Sequence, residues 1–144
     1  MSDLVEIRPP QGNLASHPSD LPAVPGGWTE TNYQIDDRTL RLTLPALPDA
    51  FLDDPEVQAA HDKSEYMPYW AYLWPSAVHM ARLVYRAEWQ AGREVLELGA
   101  GIGLVGLAAL ARGDSVTFSD YEPQAVQLAL HNAALNGLSQ RAEG

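Results

Sequence analysis

The residues best suited to chemistry lie in one short stretch, residues 95–109, which reads VLELGAGIGLVGLAA. Gly99, Gly101 and Gly103 alternate just before an apolar run. Glycine lets a chain turn sharply and lets a ligand approach bare backbone, and the N–H groups at the start of a following helix would point at that ligand. Gly106 would allow that helix to lie close to the preceding strand. The stretch therefore predicts a strand, a ligand-binding turn and a helix.

An acidic residue follows at the interval that a nucleoside cofactor needs. Asp120 ends the next predicted strand, 21 residues after Gly99, where a carboxylate can accept hydrogen bonds from ribose hydroxyls. The glycine loop and the acid together predict an adenosine-containing cofactor. The alternative is that the glycines only form a turn, but this does not account for three of them alternating before a buried helix.

Two cofactors compete for this loop. The glycines at 101, 103 and 106 match the dinucleotide pattern G-x-G-x-x-G, so an NAD-type oxidoreductase is a rival interpretation. Glu97 opposes it, because a carboxylate beside the loop would repel a pyrophosphate and suit a cationic sulfonium or α-ammonium group. Roughly 90 residues also precede this strand, whereas the typical dinucleotide fold begins with it. S-adenosylmethionine satisfies Glu97, the glycines and Asp120 together.

The elements around the loop follow from hydrophobic spacing. Residues 77–84 carry apolar side chains at i, i+3, i+4 and i+7, which predicts a helix. Strands are predicted at 94–98 and 115–120, and helices at 104–112 and from Pro123 to Gly137. The order helix–strand–helix–strand–helix predicts an α/β fold with a parallel sheet.

The first half of the chain differs in composition. Ten of the 11 prolines lie at or before Pro75. Residues 1–27 hold five prolines and few large apolar side chains, so we expect a loose extension there. Residues 30–35 and 39–44 flank a short polar turn and predict a hairpin.

We therefore divide the chain in two: an acidic, proline-rich N-terminal extension with a hairpin, residues 1–65, and a cofactor-binding half, residues 66–144. A short helix is predicted after Pro55, since proline suits a first helical turn. The acids around it lack the glycine and the distal glutamate of a calcium loop. We expect a solvated acidic face and no metal site.

The overall composition excludes several function classes. The 144 residues contain no cysteine, which excludes a disulfide scaffold, a cysteine-ligated zinc site and a thiol nucleophile. The formal charge is −10. The acidic balance argues against nucleic acid or an anionic membrane as a partner. With no signal peptide and no membrane-spanning stretch in the sequence, we expect a cytoplasmic protein.

At this point the sequence resembles a known family. ELGAGIGLVGLAAL and VTFSDYEPQAVQLALHNAALNGL resemble motifs I and II of class I, seven-β-strand methyltransferases. The upstream segment PYWAYLWPSAVHMARLV, residues 68–84, is similar to the segment before motif I in protein-lysine methyltransferases, above all those that modify the electron-transfer flavoprotein beta subunit. The resemblance covers about residues 66–138.

The resemblance implies roles for individual residues. Trp74 would pack beside S-adenosylmethionine, the loop Gly99–Ala100–Gly101 would wrap its methionine end, and Asp120 would hold its ribose. Core packing is the alternative for Trp74. For the neighbouring aromatic residues Tyr69, Trp70 and Tyr72, two interpretations are equally favoured: they line the opening of a substrate pocket, or they pack in the core.

The sequence departs from the family pattern in length. Only two of the seven strands are predicted, so the chain looks like the truncated N-terminal part of a Rossmann-like methyltransferase fold, and its first strand would leave an apolar edge open. No catalytic residue can be assigned. The leading hypothesis is a protein-lysine methyltransferase; the alternatives are a nucleotide-binding oxidoreductase fragment and a non-catalytic remnant that binds a partner.

Overall fold

The computed structural model describes residues 18–144. It contains an antiparallel hairpin and a three-stranded parallel sheet, so the predicted α/β fold with an N-terminal hairpin is confirmed. The elements, in chain order, are β1 Trp28–Ile35, β2 Arg38–Pro45, α1 Pro55–Ser64, α2 Pro75–Tyr85, β3 Glu94–Leu98, α3 Leu104–Ala111, β4 Ser115–Ser119, α4 Pro123–Leu135 and β5 Ala142–Glu143.

The parallel sheet has the order β3-β4-β5. β3 and β4 are the two predicted strands, and Val95 lies opposite Val116 in their register. β5 was not predicted. It has only two residues, with Ala142 opposite Val116, and two residues cannot display the alternation by which a strand is recognised in sequence.

The two faces of the sheet are covered differently. Val116 and Phe118 of β4 are buried, each 1% exposed, and Glu97 on β3 points toward α3, where it accepts a hydrogen bond. Leu96 and Leu98 point to the opposite face, because side chains alternate along a strand, and are 59% and 76% exposed. Within the part of the chain that the structure describes, β3 is an edge strand, as expected.

The hairpin is tied to α2 at its turn. Asp36 adopts a positive φ of 53° in the turn. Its carboxylate accepts two hydrogen bonds from the Arg86 guanidinium, at 2.6 and 2.7 Å, and Asp37 accepts one from the Tyr85 hydroxyl at 2.9 Å. The turn is therefore held on the C-terminal end of α2.

Residues 18–27 pack more closely than a loose extension would. Leu21 is 4% exposed, and the Pro22 carbonyl accepts a hydrogen bond from the Trp28 indole at 2.8 Å. The rest of the predicted extension, residues 1–17, lies outside the described residues. The division of the chain after residue 65 stays a prediction.

The predicted helix after Pro55 is confirmed as α1. Asp54 caps it, since its carboxylate accepts hydrogen bonds from the N–H groups of Glu56 and Val57 at 2.9 and 3.2 Å. This cap satisfies donors that a helix start leaves unpaired.

Between residues 18 and 144, no group of three or more His, Cys, Asp or Glu side chains is placed to hold a metal ion. No helix in that range is long and apolar enough to cross a membrane.

Candidate cofactor-binding site

A cavity of about 800 Å³ opens beside the glycine loop that joins β3 to α3. All seven residues predicted from the sequence to bind the cofactor line it: Trp74, Glu97, Gly99, Ala100, Gly101, Gly103 and Asp120. They come from three places in the chain, which the parallel sheet and α2 bring together. A ligand pocket at the carboxyl ends of parallel strands is the general rule for open α/β sheets.

The loop glycines serve different purposes. Gly99, Gly101 and Gly103 all have positive φ angles, of 65°, 53° and 88°. A Cβ on Gly99 would meet nothing within 4 Å, so its backbone lies open to the cavity. A Cβ on Gly103 would lie 2.8 Å from the Ala129 Cβ. Gly103 therefore lets α4 approach the loop, whereas Gly99 leaves room for a ligand.

Asp120 joins the ends of the two longer parallel strands. Its Oδ2 accepts a hydrogen bond from the Gly101 N–H at 2.8 Å, and its Oδ1 accepts one from the Glu122 N–H at 2.9 Å. The Gly101 N–H thus faces a protein carboxylate, which fixes the loop and leaves the remaining lone pairs of Asp120 for other donors.

Glu97 has a similar role at the start of α3. The residue before that helix, Gly103, has no side chain to cap it, and Glu97 Oε2 accepts a hydrogen bond from the Gly106 N–H at 2.8 Å. Burial raises the pKa of Glu97 to about 7, and the nearby Asp120 carboxylate adds to the rise. A cation beside Glu97 would favour the ionised form.

The aromatic residues before α2 fall into two groups. Trp70 is 7% exposed and meets Phe51 edge to face at 5.4 Å. Trp74 is 47% exposed, its indole N–H donates to the Tyr69 carbonyl at 3.0 Å, and its ring lies 6.0 Å from Tyr69 and 5.9 Å from Tyr72. Trp70 is thus a core residue, while Trp74 belongs to an exposed aromatic wall of the cavity.

Sequence reasoning missed Tyr66, which also lines the cavity. Burial and a hydrogen bond to Glu122 raise the pKa of Tyr66 to about 12. The hydroxyl therefore stays protonated near neutral pH. Tyr66 lies in an irregular segment between two helices, where no periodic pattern marks a residue as facing a site.

Replacing Trp74 by alanine should cost little stability. Because the ring is half exposed, we expect the free energy of unfolding to fall by less than about 1.5 kcal/mol, against the roughly 3–5 kcal/mol typical of a buried tryptophan. Urea unfolding of Trp74→Ala beside Trp70→Ala measures both. Equal losses in the two variants would make Trp74 a core residue after all.

Comparison with known proteins places this site in a family. A sequence profile described as lysine methyltransferase matches residues 52–143. The chain belongs to the lysine methyltransferase family. The matched range contains the glycine loop, Asp120 and Trp74, which line the cavity.

Individual relatives show how far the similarity extends. The chain is 42% identical over 74 residues to the electron transfer flavoprotein beta subunit lysine methyltransferase of Danio rerio, a match covering 50% of this chain and 29% of that protein. It is 35% identical over 78 residues to the histone-arginine methyltransferase METTL23 of Rattus norvegicus, covering 52% of this chain and 35% of the relative. The match therefore spans about a third of each relative.

A solved structure shares the fold. The Pyrococcus horikoshii protein PH0793 superimposes on 81% of this chain and 34% of its own, with a TM-score of 0.50 and 15% sequence identity. At this identity the likeness concerns the fold alone, which is the α/β arrangement described above.

Proposed function

We propose that this chain is the cofactor-binding part of a methyltransferase that transfers a methyl group from S-adenosylmethionine to a lysine amine of a protein. The observation that carries the proposal is the charge of the cavity wall. Its charged lining residues within the described chain are Glu97, Asp120 and Glu122, and none of its lining residues is Lys, Arg or His. Such a wall favours a cationic ligand and disfavours a pyrophosphate.

The described residues suit S-adenosylmethionine in three respects. Glu97 supplies a partly buried carboxylate toward the cationic methionine end, Gly99 leaves the backbone open for close approach, and Asp120 has lone pairs left for ribose hydroxyls. Ala100 and Gly101 complete the loop that would wrap the methionine end. When bound, the cofactor supplies an electrophilic methyl group on a sulfonium.

The chain's own residues then bind, orient and exclude water. The exposed aromatic wall around Trp74 would cover the cofactor, and removal of water strengthens the electrostatic interactions inside a site. With its raised pKa, Tyr66 is unsuited to remove a proton from an amine. No described residue is assigned as the catalytic base.

The protein substrate is inferred from two observations. The Danio rerio relative is named as a lysine methyltransferase of a protein subunit. Tyr69 and Trp74, 59% and 47% exposed, present aromatic faces at the mouth of the cavity, and such faces attract an ammonium group. The chain's acidic charge gives no reason to propose a nucleic acid or membrane partner, and a cytoplasmic location stays a prediction.

Ligand titration tests the cofactor. We expect S-adenosylmethionine and its demethylated product S-adenosylhomocysteine to bind this chain in a calorimetric titration, and NAD to bind at least tenfold more weakly or not at all. NAD is the informative competitor, because the loop also matches the dinucleotide pattern. Tighter binding of NAD would overturn the methyltransferase proposal in favour of the oxidoreductase.

A second test concerns Asp120. Asp120→Ala should weaken S-adenosylhomocysteine binding by about 1–3 kcal/mol, the usual cost of leaving polar groups without a charged acceptor. Glu122→Ala is the matched control, since Glu122 lines the same cavity two residues later. Unchanged affinity in Asp120→Ala with weakened affinity in Glu122→Ala would transfer the ribose role to Glu122.

A further inference from the structure

A buried amide on α4 connects the hairpin to the glycine loop. Asn132 is 0% exposed. Its Oδ1 accepts a hydrogen bond from the Thr43 N–H at 2.7 Å, and its Nδ2 donates to the Thr43 carbonyl and to the Ile102 carbonyl, both at 3.0 Å. A side-chain amide has two N–H donors, so both are used, one on β2 and one on the loop.

The bond to Ile102 falls on a turn of the loop that the Gly103 N–H closes onto the Ala100 carbonyl. The Ile102 carbonyl and the Gly103 N–H belong to one planar peptide unit. Asn132 binds the carbonyl end, and the N–H end donates to the Ala100 carbonyl at 2.8 Å. This peptide is therefore held from both sides. One turn earlier on α4, Ala129 packs where a Cβ of Gly103 would stand.

We propose that Asn132 is a positioning residue for the glycine loop, because it fixes the Ile102–Gly103 peptide. Since the same side chain binds Thr43, it couples the position of the hairpin on α4 to the conformation of the cofactor site. Asn132 does not line the cavity, so it acts through the loop and not by touching the ligand. The effect on ligand binding rests on the function proposed above; the effect on the loop does not.

Asn136 offers a matched control. Its amide accepts from the Arg41 N–H at 2.8 Å and donates to the Arg41 carbonyl at 2.7 Å, which repeats the pairing of Asn132 with Thr43. Its other recorded bond goes to the Asn132 carbonyl on the same helix, at 2.8 Å. Loss of Asn136 therefore removes the same pair of hydrogen bonds to the hairpin, at a more exposed position, and no bond to the loop.

The first test needs no ligand. In the full chain, hydrogen exchange of the Gly103 amide should be at least tenfold faster in Asn132→Ala than in the wild type, and within twofold of the wild type in Asn136→Ala. Asn132→Asp, which keeps the acceptor for Thr43 but loses both N–H donors, should behave like Asn132→Ala. Equal exchange in the Asn132 and Asn136 variants would overturn the positioning role.

The second test measures affinity for S-adenosylhomocysteine. We expect at least fivefold weaker binding in Asn132→Ala and less than twofold change in Asn136→Ala, even when both melt at lower temperature. If the wild type fails to bind, the proposed function fails and exchange alone decides the positioning role. If neither Asn132 variant folds, the Asn132 side-chain amide signals of the wild type should shift on ligand addition and those of Asn136 should not; no shift would overturn the proposal.

Discussion

Glu97→Gln should make the protein more stable at pH 8 while weakening its hold on the cofactor. A glutamine oxygen can still accept the Gly106 N–H, which Glu97 binds at 2.8 Å, so the cap on α3 survives. What disappears is the cost of burying a charge beside Asp120. The variant therefore separates the structural role of the side chain from its electrostatic one.

The sign follows from the pKa of Glu97, which burial raises from 4.5 to about 7. Between these values the folded state binds a proton that the unfolded state has released. The contribution to stability is complete below about pH 4.5 and is lost as the pH rises through 7. Each pKa unit corresponds to about 1.4 kcal/mol. As the pH rises, the free energy of unfolding of the wild type should therefore fall by on the order of 3 kcal/mol through this group.

Urea unfolding at pH 5 and pH 8 measures this loss. We expect a much smaller difference between the two pH values in Glu97→Gln than in the wild type. Glu94→Gln is the control, because Glu94 is exposed on the same strand and should leave the difference unchanged. A wild-type pH dependence that survives in Glu97→Gln would place the responsible group elsewhere.

Cofactor affinity should depend on pH in the opposite direction. A cationic methionine end favours ionised Glu97, so S-adenosylmethionine binding to the wild type should tighten from pH 6 to pH 8, by at most about tenfold per unit below the pKa. In Glu97→Gln the affinity should be lower at pH 8 and nearly constant across the range. If the affinities of the wild type and Glu97→Gln changed with pH in parallel, Glu97 would be excluded as the group that contacts the cation.

Gly106→Ala should be strongly destabilising. A Cβ there would overlap the Phe118 ring and lie 2.5 Å from Glu97 Oε2, and Phe118 is 1% exposed with no room to retreat. Overpacking of this kind costs about 1–3 kcal/mol, sometimes more. We expect about 3 kcal/mol by urea unfolding, because both the core ring and the helix cap must shift.

Gly99→Ala is the informative contrast. A Cβ on Gly99 would meet no neighbour, so its stability cost should be limited to the positive φ of 65°, about 1–2 kcal/mol. Its effect on S-adenosylhomocysteine binding should be much larger, since the new methyl group would stand in the cavity.

A Gly106→Ala protein as stable as the wild type would show that α3 can move away from β4.

The sequence predicted the site where local patterns carry the information. Alternating glycines, an acid at the end of β4 and apolar spacing in the helices each depend on a few neighbouring residues, and the Gly106 contact was predicted from its place in that pattern. The family resemblance favours a cofactor role for Trp74, but nothing in the sequence decides the role of Trp70. Both stand in one irregular segment between prolines, and only the packing of Phe51 against Trp70 makes one of them a core residue.

Contacts between distant parts of the chain were beyond sequence reasoning. Asn132 and Thr43 are 89 positions apart, and an asparagine in a helix gives no sign of which strand it will meet. The capping of α3 by Glu97 was also missed, because the residue that ordinarily caps a helix directly precedes it. Glu97 was predicted as a ligand for a cation, and its bond to Gly106 adds a second role.

The two amide pairs between α4 and β2 also limit how the hairpin can evolve. A helix advances about 6 Å over the four residues from Asn132 to Asn136, and an antiparallel strand advances about 6.8 Å over the two residues from Thr43 to Arg41. The two repeats are nearly commensurate, so two pairs fit and a longer series would drift out of reach. Both amides bind main-chain groups, which recur at every second residue of a strand. A slide that brought Pro45 opposite Asn132 would leave the Asn132 oxygen without a donor, because proline has no N–H, whereas a slide in the other direction would pair both amides again.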